Sequence, residues 1–178
     1  WYPWNEEALE ESRRRDIPIF LSIGYSACHW CHVMEEECFK DPSISEIMNR
    51  EFINIKVDRE ERPDIDHIYM TAIQAITGRG GWPLSVFLSP NLEPFYGGTY
   101  FPPNDHHGMP GFPRVLQAVA ESYSTRRTDV SKAVDQITSI LQNYNQVSKN
   151  PDPLTQDILS KSFAQLKTMF DDKYGGVG

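Results

Sequence analysis

Two cysteines three residues apart stand where the hydrophobic period of this chain changes, and that junction restricts the fold more than any other feature. Residues 17–25 (Ile17-Pro18-Ile19-Phe20-Leu21-Ser22-Ile23-Gly24-Tyr25) form a dense apolar run with β-branched and aromatic members. That is the pattern of a strand buried on both faces. From residue 28 to residue 39 the period is helical: Val33, Met34 and Cys38 share one face, and Glu35, Glu36 and Glu37 lie largely on the other. Cys28-His29-Trp30-Cys31 therefore opens a helix directly after a central strand.

The remaining segments alternate in the same way. Asn5 is placed to cap a helix over residues 6–15, with Glu6 and Glu7 in its first turn, Arg13, Arg14 and Arg15 in its last, and Trp4 and Leu9 as a hydrophobic staple. Asp41-Pro42 supplies a cap and first-turn proline for a helix to Arg50. Residues 52–57 alternate Ile53, Ile55 and Val57 against Asn54 and Lys56 as a strand. After Pro63, Ile65, Ile68, Tyr69, Ala72, Ile73 and Ile76 make one helical stripe that ends at Gly78, Gly80 and Gly81. Trp82-Pro83 leads into a strand over residues 84–88, the turn Ser89-Pro90-Asn91-Leu92 and a second strand over residues 95–101, an antiparallel hairpin. A loop over residues 102–113 precedes helical composition over residues 114–146, with a break near residues 125–128. Residues 148–153 read as a linker, and residues 154–170 as a further amphipathic helix.

A cysteine at a helix N-terminus has backbone N–H groups and the positive end of the helix dipole beside its sulfur, which can bring the thiol pKa to about 3.5–7.5. The thiolate is the nucleophile, and a second cysteine one turn further in can attack a mixed disulfide and release the substrate. A protonated His29 would favour the thiolate further. The same residues admit other readings: a structural zinc site completed by His32 and Cys38, the Cys-x-x-Cys-His attachment signature of c-type haem, or two inert cysteines. Zinc needs ligands that one helix cannot easily converge, and the haem motif has no evident axial partner. Cys38, on the apolar face, reads as a core residue. Three cysteines are too few and odd in number for a disulfide framework.

The net charge of −8, from 25 acidic and 17 basic residues, repels a phosphate backbone and argues against nucleic acid as a partner. The apolar runs are too short to cross a membrane. No basic stretch followed by an apolar one opens the chain, so no secretory leader is read and the expected location is cytoplasmic. Asp105-His106-His107 invites a metal reading, but a solvated loop is the simpler one, and neither metal nor cofactor is expected. Trp1, Tyr2, Trp4, Tyr96, Tyr100 and Phe101 suggest a carbohydrate platform, against which stands ordinary core and rim packing. Residues 58–64, rich in acids with Arg59 and Arg62, are either a self-paired charged run or a loop lining the site at a strand end.

Long strings then point to one family. Trp1-Tyr2-Pro3-Trp4, Pro18-Ile19-Phe20-Leu21-Ser22-Ile23-Gly24-Tyr25, Cys28-His29-Trp30-Cys31-His32-Val33-Met34-Glu35, Val57-Asp58-Arg59-Glu60-Glu61-Arg62-Pro63-Asp64, Gly81-Trp82-Pro83 and Gly97-Gly98-Thr99-Tyr100-Phe101-Pro102-Pro103 are the strings in question. They resemble the thioredoxin-like N-terminal domain, of the DUF255 type, in the spermatogenesis-associated protein 20 family. The resemblance implies an α/β thioredoxin-like fold over residues 1–147, with a mixed central sheet and helices on both faces. It also implies that residues 154–178 open a helical toroid similar to glycosidases and epimerases.

By the same resemblance Cys28 is the exposed attacking thiol, Cys31 the resolving one and Pro83 a cis-proline facing them. The backbone of Trp82 is then placed to pair with an extended substrate, and His29, Trp30, Asp58, Arg59 and Glu60 are supporting or substrate-binding residues. Two departures from thioredoxin itself stand out: His29-Trp30 replaces Gly-Pro between the cysteines, and Ser22 replaces a buried acid. The implied activity is thiol-disulfide oxidoreduction of a protein or small-molecule disulfide. The alternative is a non-catalytic thioredoxin-fold module that docks the chain's own C-terminal helical domain.

Overall fold

The computed structural model describes residues 1–106, 108–144, 155–173, 175 and 176. The chain divides into two compact units, Trp1–Asn145 and Gln146–Gly178. In the first unit α1 (Glu6–Arg15) starts where Asn5 accepts the Ala8 N–H at 3.0 Å and stops at Asp16, whose backbone is left-handed at φ 50°. β1 (Ile19–Gly24) follows, buried at every position. α2 (His29–Met34) runs into a π-helical turn, Glu35–Phe39, and α3 (Pro42–Glu51) is capped by Asp41, which accepts the Ser43 and Ile44 N–H groups. β2 (Ile53–Asp58), α4 (Pro63–Thr77), β3 (Leu84–Leu88), β4 (Pro94–Gly98), α5 (Phe112–Thr125) and α6 (Arg127–Tyr144) complete it.

The four strands lie in the order β2-β1-β3-β4. β1 runs parallel to β2, pairing Ile19 with Ile53, and antiparallel to β3, pairing Ile23 with Leu84. The parallel pair needs the long α2–α3 crossover, whereas the β3–β4 hairpin closes through residues 89–93, with Leu92 left-handed at φ 69°. Alternate side chains of β1 feed two cores. Phe20 enters an aromatic layer with Phe52, Phe87, Phe101 and Phe112, covered by α2, α3, α5 and α6. Ile19, Leu21 and Ile23 join Ile55, Val86, Ile65, Tyr69 and Ile73 beneath α1 and α4. The sheet is thus mixed, with helices on both faces.

The N-terminal segment reaches the outer edge of this sheet. The Tyr2 N–H donates to Asn54 O at 2.8 Å, and the Lys56 N–H donates to Tyr2 O at 3.0 Å. The Lys56 ammonium then lies over the rings of Trp1, at 5.5 Å, and Phe39, at 4.9 Å, and donates to Ser22 Oγ at 3.2 Å.

Several elements differ from the periodicity reading. The stretch expected as one helix to residue 39 widens into the π turn, where the Lys40 N–H reaches back to Glu35 O at 3.0 Å. Met34 and Cys38 both reach the core across it, while Glu35 and Glu36 pair with Lys40. In α4 the buried stripe is Ile65, Asp66, Tyr69, Ala72 and Ile73, and Ile68 and Ile76 are exposed. Ile68 sits at the margin of that arc and Ile76 in the last turn. Asn54, expected outside, is buried because its amide donates to Met48 O at 3.1 Å. β4 ends at Gly98, since Phe101 turns in to stack on Phe112, and α5 starts at Phe112 because Pro113 occupies its first turn.

In the second unit, α7 (Gln156–Met169) exposes Ile158, Leu159, Phe163 and Leu166. Residues 148–153, read as a linker, and His107 lie outside the described residues. No described helix is long and apolar enough to cross a membrane.

Gly97 on β4 lies close against Ile73 of α4. A Cβ there would lie 2.4 Å from Ile73 Cδ1 and 2.6 Å from the Ser85 carbonyl oxygen, and the latter cannot move without shifting β3. Gly97→Ala is expected to destabilise the domain by about 1–3 kcal/mol. Urea unfolding checks this, and an unchanged midpoint would refute it.

Candidate functional site at the end of the central strand

β1 ends at Gly24, and its flanking strands bring their own ends to the same place. Gly24 pairs with Asp58 of β2, and Ile23 with Leu84, the first residue of β3, so Pro83 follows on the other side. The Trp82–Pro83 peptide bond is cis. α2 seats its first turn on this platform. A Cβ on Gly24 would lie 2.8 Å from Cys31 Sγ, so only glycine lets the sulfur approach the strand.

Cys28 caps α2: its sulfur accepts the Cys31 N–H at 3.2 Å. Cys28 and Cys31 are joined as a disulfide, with S–S 2.09 Å and Cα–Cα 5.3 Å. Both sulfurs are thereby spent, and the neighbours named for zinc point elsewhere. His32 Nε2 donates to Ser26 O at 2.8 Å, and the Cys38 thiol donates to Phe101 O at 3.5 Å. The expected exposure of Cys28 is corrected: in the disulfide Cys28 is 3% exposed and Cys31 8%. The inward turn of the capping sulfur, onto the Cys31 amide and sulfur, is the physical reason.

Two aromatic walls flank the dithiol. On the β2–β3 side, Trp82 meets the Tyr25 ring edge-on at 5.8 Å and donates its indole N–H to Asp66 Oδ1 at 2.8 Å. Arg59 stacks on Trp82 at 4.0 Å, and its backbone N–H donates to Gly24 O at 2.9 Å. On the other side, Trp30, 53% exposed, packs on Tyr100 at 5.1 Å and on His29 at 5.7 Å. Tyr100 donates to Glu37 Oε2 at 2.6 Å, and burial together with that carboxylate pushes its hydroxyl above the usual tyrosine range.

The charged run over residues 58–64 divides between its two readings. Arg59 turns to the site, whereas Arg62 and Asp64 form a bidentate ion pair away from it. Asp58 builds the turn, its carboxylate accepting the Glu60 N–H at 2.8 Å, and the Glu60 side chain is exposed with one oxygen 3.3 Å from Arg59 Nε. His29 contacts Trp30 and makes no hydrogen bond to Cys28.

Tyr25, Asp66 and Glu37 are not candidate site residues by the sequence reading, and Tyr100 enters it only as part of the carbohydrate platform. For Asp66 a signal exists: an acid at spacing three and seven from Tyr69 and Ile73 lies on an otherwise apolar stripe.

The other candidate clusters serve packing. Asp105 accepts the Gly111 N–H at 2.7 Å and pairs with Arg114, which together hold its carboxyl below the usual range. Among the described residues no three His, Cys, Asp or Glu side chains converge as metal ligands. The aromatics read as a platform are scattered: Trp1 lies against Phe39, Trp4 against Tyr69, Tyr96 against Phe87, and Phe101 is in the core.

Burial pushes the Cys38 thiol up to about 12, with the Glu37 and Asp41 carboxylates adding to the rise. It is therefore a neutral thiol at neutral and mildly alkaline pH. In the reduced native domain at pH 8, iodoacetamide is expected to leave Cys38 unmodified until denaturant is added. Mass mapping of the adducts checks this, and labelling of native Cys38 would contradict it.

Over residues 1–142 the chain matches the family Thioredox_DsbH, described as "Protein of unknown function, DUF255". It is 43% identical over 179 residues to spermatogenesis-associated protein 20 of Homo sapiens, a match covering 99% of this chain and 23% of that protein. Over 178 residues it is also 43% identical to an uncharacterized protein of Caenorhabditis elegans, covering 100% of this chain and 24% of that one. The chain thus spans about a quarter of the length of these curated relatives. Among solved structures it superposes on a DsbH oxidoreductase with a TM-score of 0.47 at 18% identity, over 69% of this chain and 82% of that one. With a family match over residues 1–142, the chain belongs to the DUF255 family of thioredoxin-like domains, which it shares with spermatogenesis-associated protein 20.

Proposed function

We propose that this domain is a thiol-disulfide oxidoreductase acting on a protein or small-molecule disulfide through Cys28 and Cys31. The observation that carries the reading is the closed Cys28–Cys31 pair at the start of α2, seated on Gly24 between the ends of β2 and β3. In the reduced form the Cys28 thiolate attacks a substrate disulfide, forms a mixed disulfide and expels one substrate thiolate. Cys31 then loses its proton to solvent and attacks Cys28 Sγ. The second substrate thiolate leaves, and two electrons have passed from the dithiol to the substrate. The Cys31 amide, aimed at Cys28 Sγ, favours the thiolate over the thiol. The reverse sequence oxidises a substrate dithiol. In the cytoplasm, thiol pools would hold the pair reduced between turnovers.

The test is the pH dependence of alkylation in the reduced domain, with Cys31→Ser used to trap partners. A Cys28 that titrates well below the ordinary value of about 8.5 and retains a mixed disulfide in Cys31→Ser is the expected result. A Cys28 titrating near 8.5 and inert toward disulfides would sink the reading.

One observation favours a second reading. Cys28 is 3% exposed, so the pair is covered in the oxidised state. A non-catalytic module docking the chain's own helical domain would tolerate that burial. Residues 154–178 are then the start of that domain, supported by the apolar side chains α7 leaves exposed. Full-length protein carrying Cys28→Ser and Cys31→Ser separates the two: function retained supports docking, and function lost with folding intact supports exchange.

A further inference from the structure

Arg59 is fixed at the same strand end as the dithiol. Its backbone donates to Gly24 O, the residue on which Cys31 Sγ rests, and its guanidinium carbon lies 4.0 Å from the centre of the Trp82 ring and 5.8 Å from that of Tyr25. Its Nε is buried without a hydrogen bond, although about a third of the side chain, 32%, remains exposed. Two carboxylates form loose ion pairs with Nε, and neither makes a hydrogen bond to it. Asp66 Oδ2 is 4.0 Å from Nε, and the other oxygen of that carboxylate is engaged by the Trp82 indole. Glu60 is 3.3 Å away, unaligned for a hydrogen bond and largely solvated. Among the described residues neither terminal nitrogen of Arg59 has a hydrogen-bond acceptor. A permanently charged planar fork, held by stacking with its terminal donors unspent, matches a carboxylate in geometry and charge.

We propose that Arg59 binds a carboxylate of the substrate, so that the domain prefers disulfides carrying an anionic group close to the sulfur. The inference rests on the exchange reading above and assigns its substrate class. Tyr25 and Trp82 supply the apolar wall against which the segment between sulfur and carboxylate lies, and Asp66 holds the indole in place as a positioning residue.

The test compares three small disulfides against the reduced domain at pH 8, where ordinary histidines are uncharged. They are 3,3′-dithiodipropionate (anionic), 2-hydroxyethyl disulfide (neutral) and cystamine (cationic). Each rate constant is divided by that of the same disulfide with a small free thiol. At low salt the normalised anionic-to-cationic ratio is expected to be about 10 and to shrink as salt is added. Arg59→Gln should bring the ratio close to one, and Arg59→Lys, which keeps the charge and loses the fork, should recover part of it. A ratio near one in the unaltered domain, or one that Arg59→Gln leaves in place, overturns the assignment while the exchange reading stands. A domain inert toward all three disulfides overturns both. Should Arg59→Gln fail to fold, the ratio in the unaltered domain, its salt dependence and Arg59→Lys decide the matter.

Discussion

The Cys31 sulfur lies only 2.8 Å from where a side chain on residue 24 would place its Cβ. The last residue of the central strand must therefore be bare, and that absence of a side chain lets α2 sit directly on the sheet. Other features of the site inherit their position from this contact. Cys28 caps the helix that the contact seats, Arg59 is tied to the carbonyl of the same glycine, and Pro83 arrives beside it because β3 pairs in register with β1. The strand can end so only because it is the second of four, supported by β2 on one side and β3 on the other.

The two walls of the site differ in chemistry. The Trp82 wall is braced by charge, through Asp66 beneath the indole and Arg59 above it. The Trp30 wall is braced by a neutral phenol held to Glu37 on the π turn. One wall thus presents a cation and the other an exposed indole. The π turn thus has a positional effect: it carries Glu37 to Tyr100 while Met34 and Cys38 stay in the core.

Much of this architecture was legible because it is written locally. Asn5 and Asp41 announce their helices through side chains that satisfy nearby N–H groups, and β1 shows itself by six successive residues without a solvent face. The dithiol was legible for the same reason, since a cysteine spacing and a change of period are both short-range signals. The braces were not. Asp66 and Trp82 are 16 residues apart, and Tyr100 and Glu37 are 63 apart, so no periodicity relates them. Neither was the burial of Cys28, which depends on which way a capping sulfur turns. The π turn escaped because its apolar spacing is shared with an ordinary helix.

The Tyr2 bridge bears on how the molecule behaves among its neighbours in solution. β2 is an outer strand, and an outer strand offers unpaired amides and carbonyls to any other chain that can extend beside it. Here the segment before α1 occupies part of that row, with Tyr2 joined to Asn54 and Lys56 and the Lys56 ammonium drawn over Trp1. The Tyr2 bridge thus acts as a selvedge on the sheet, taking up edge groups of β2 through which copies of the domain would otherwise zip together along their strands.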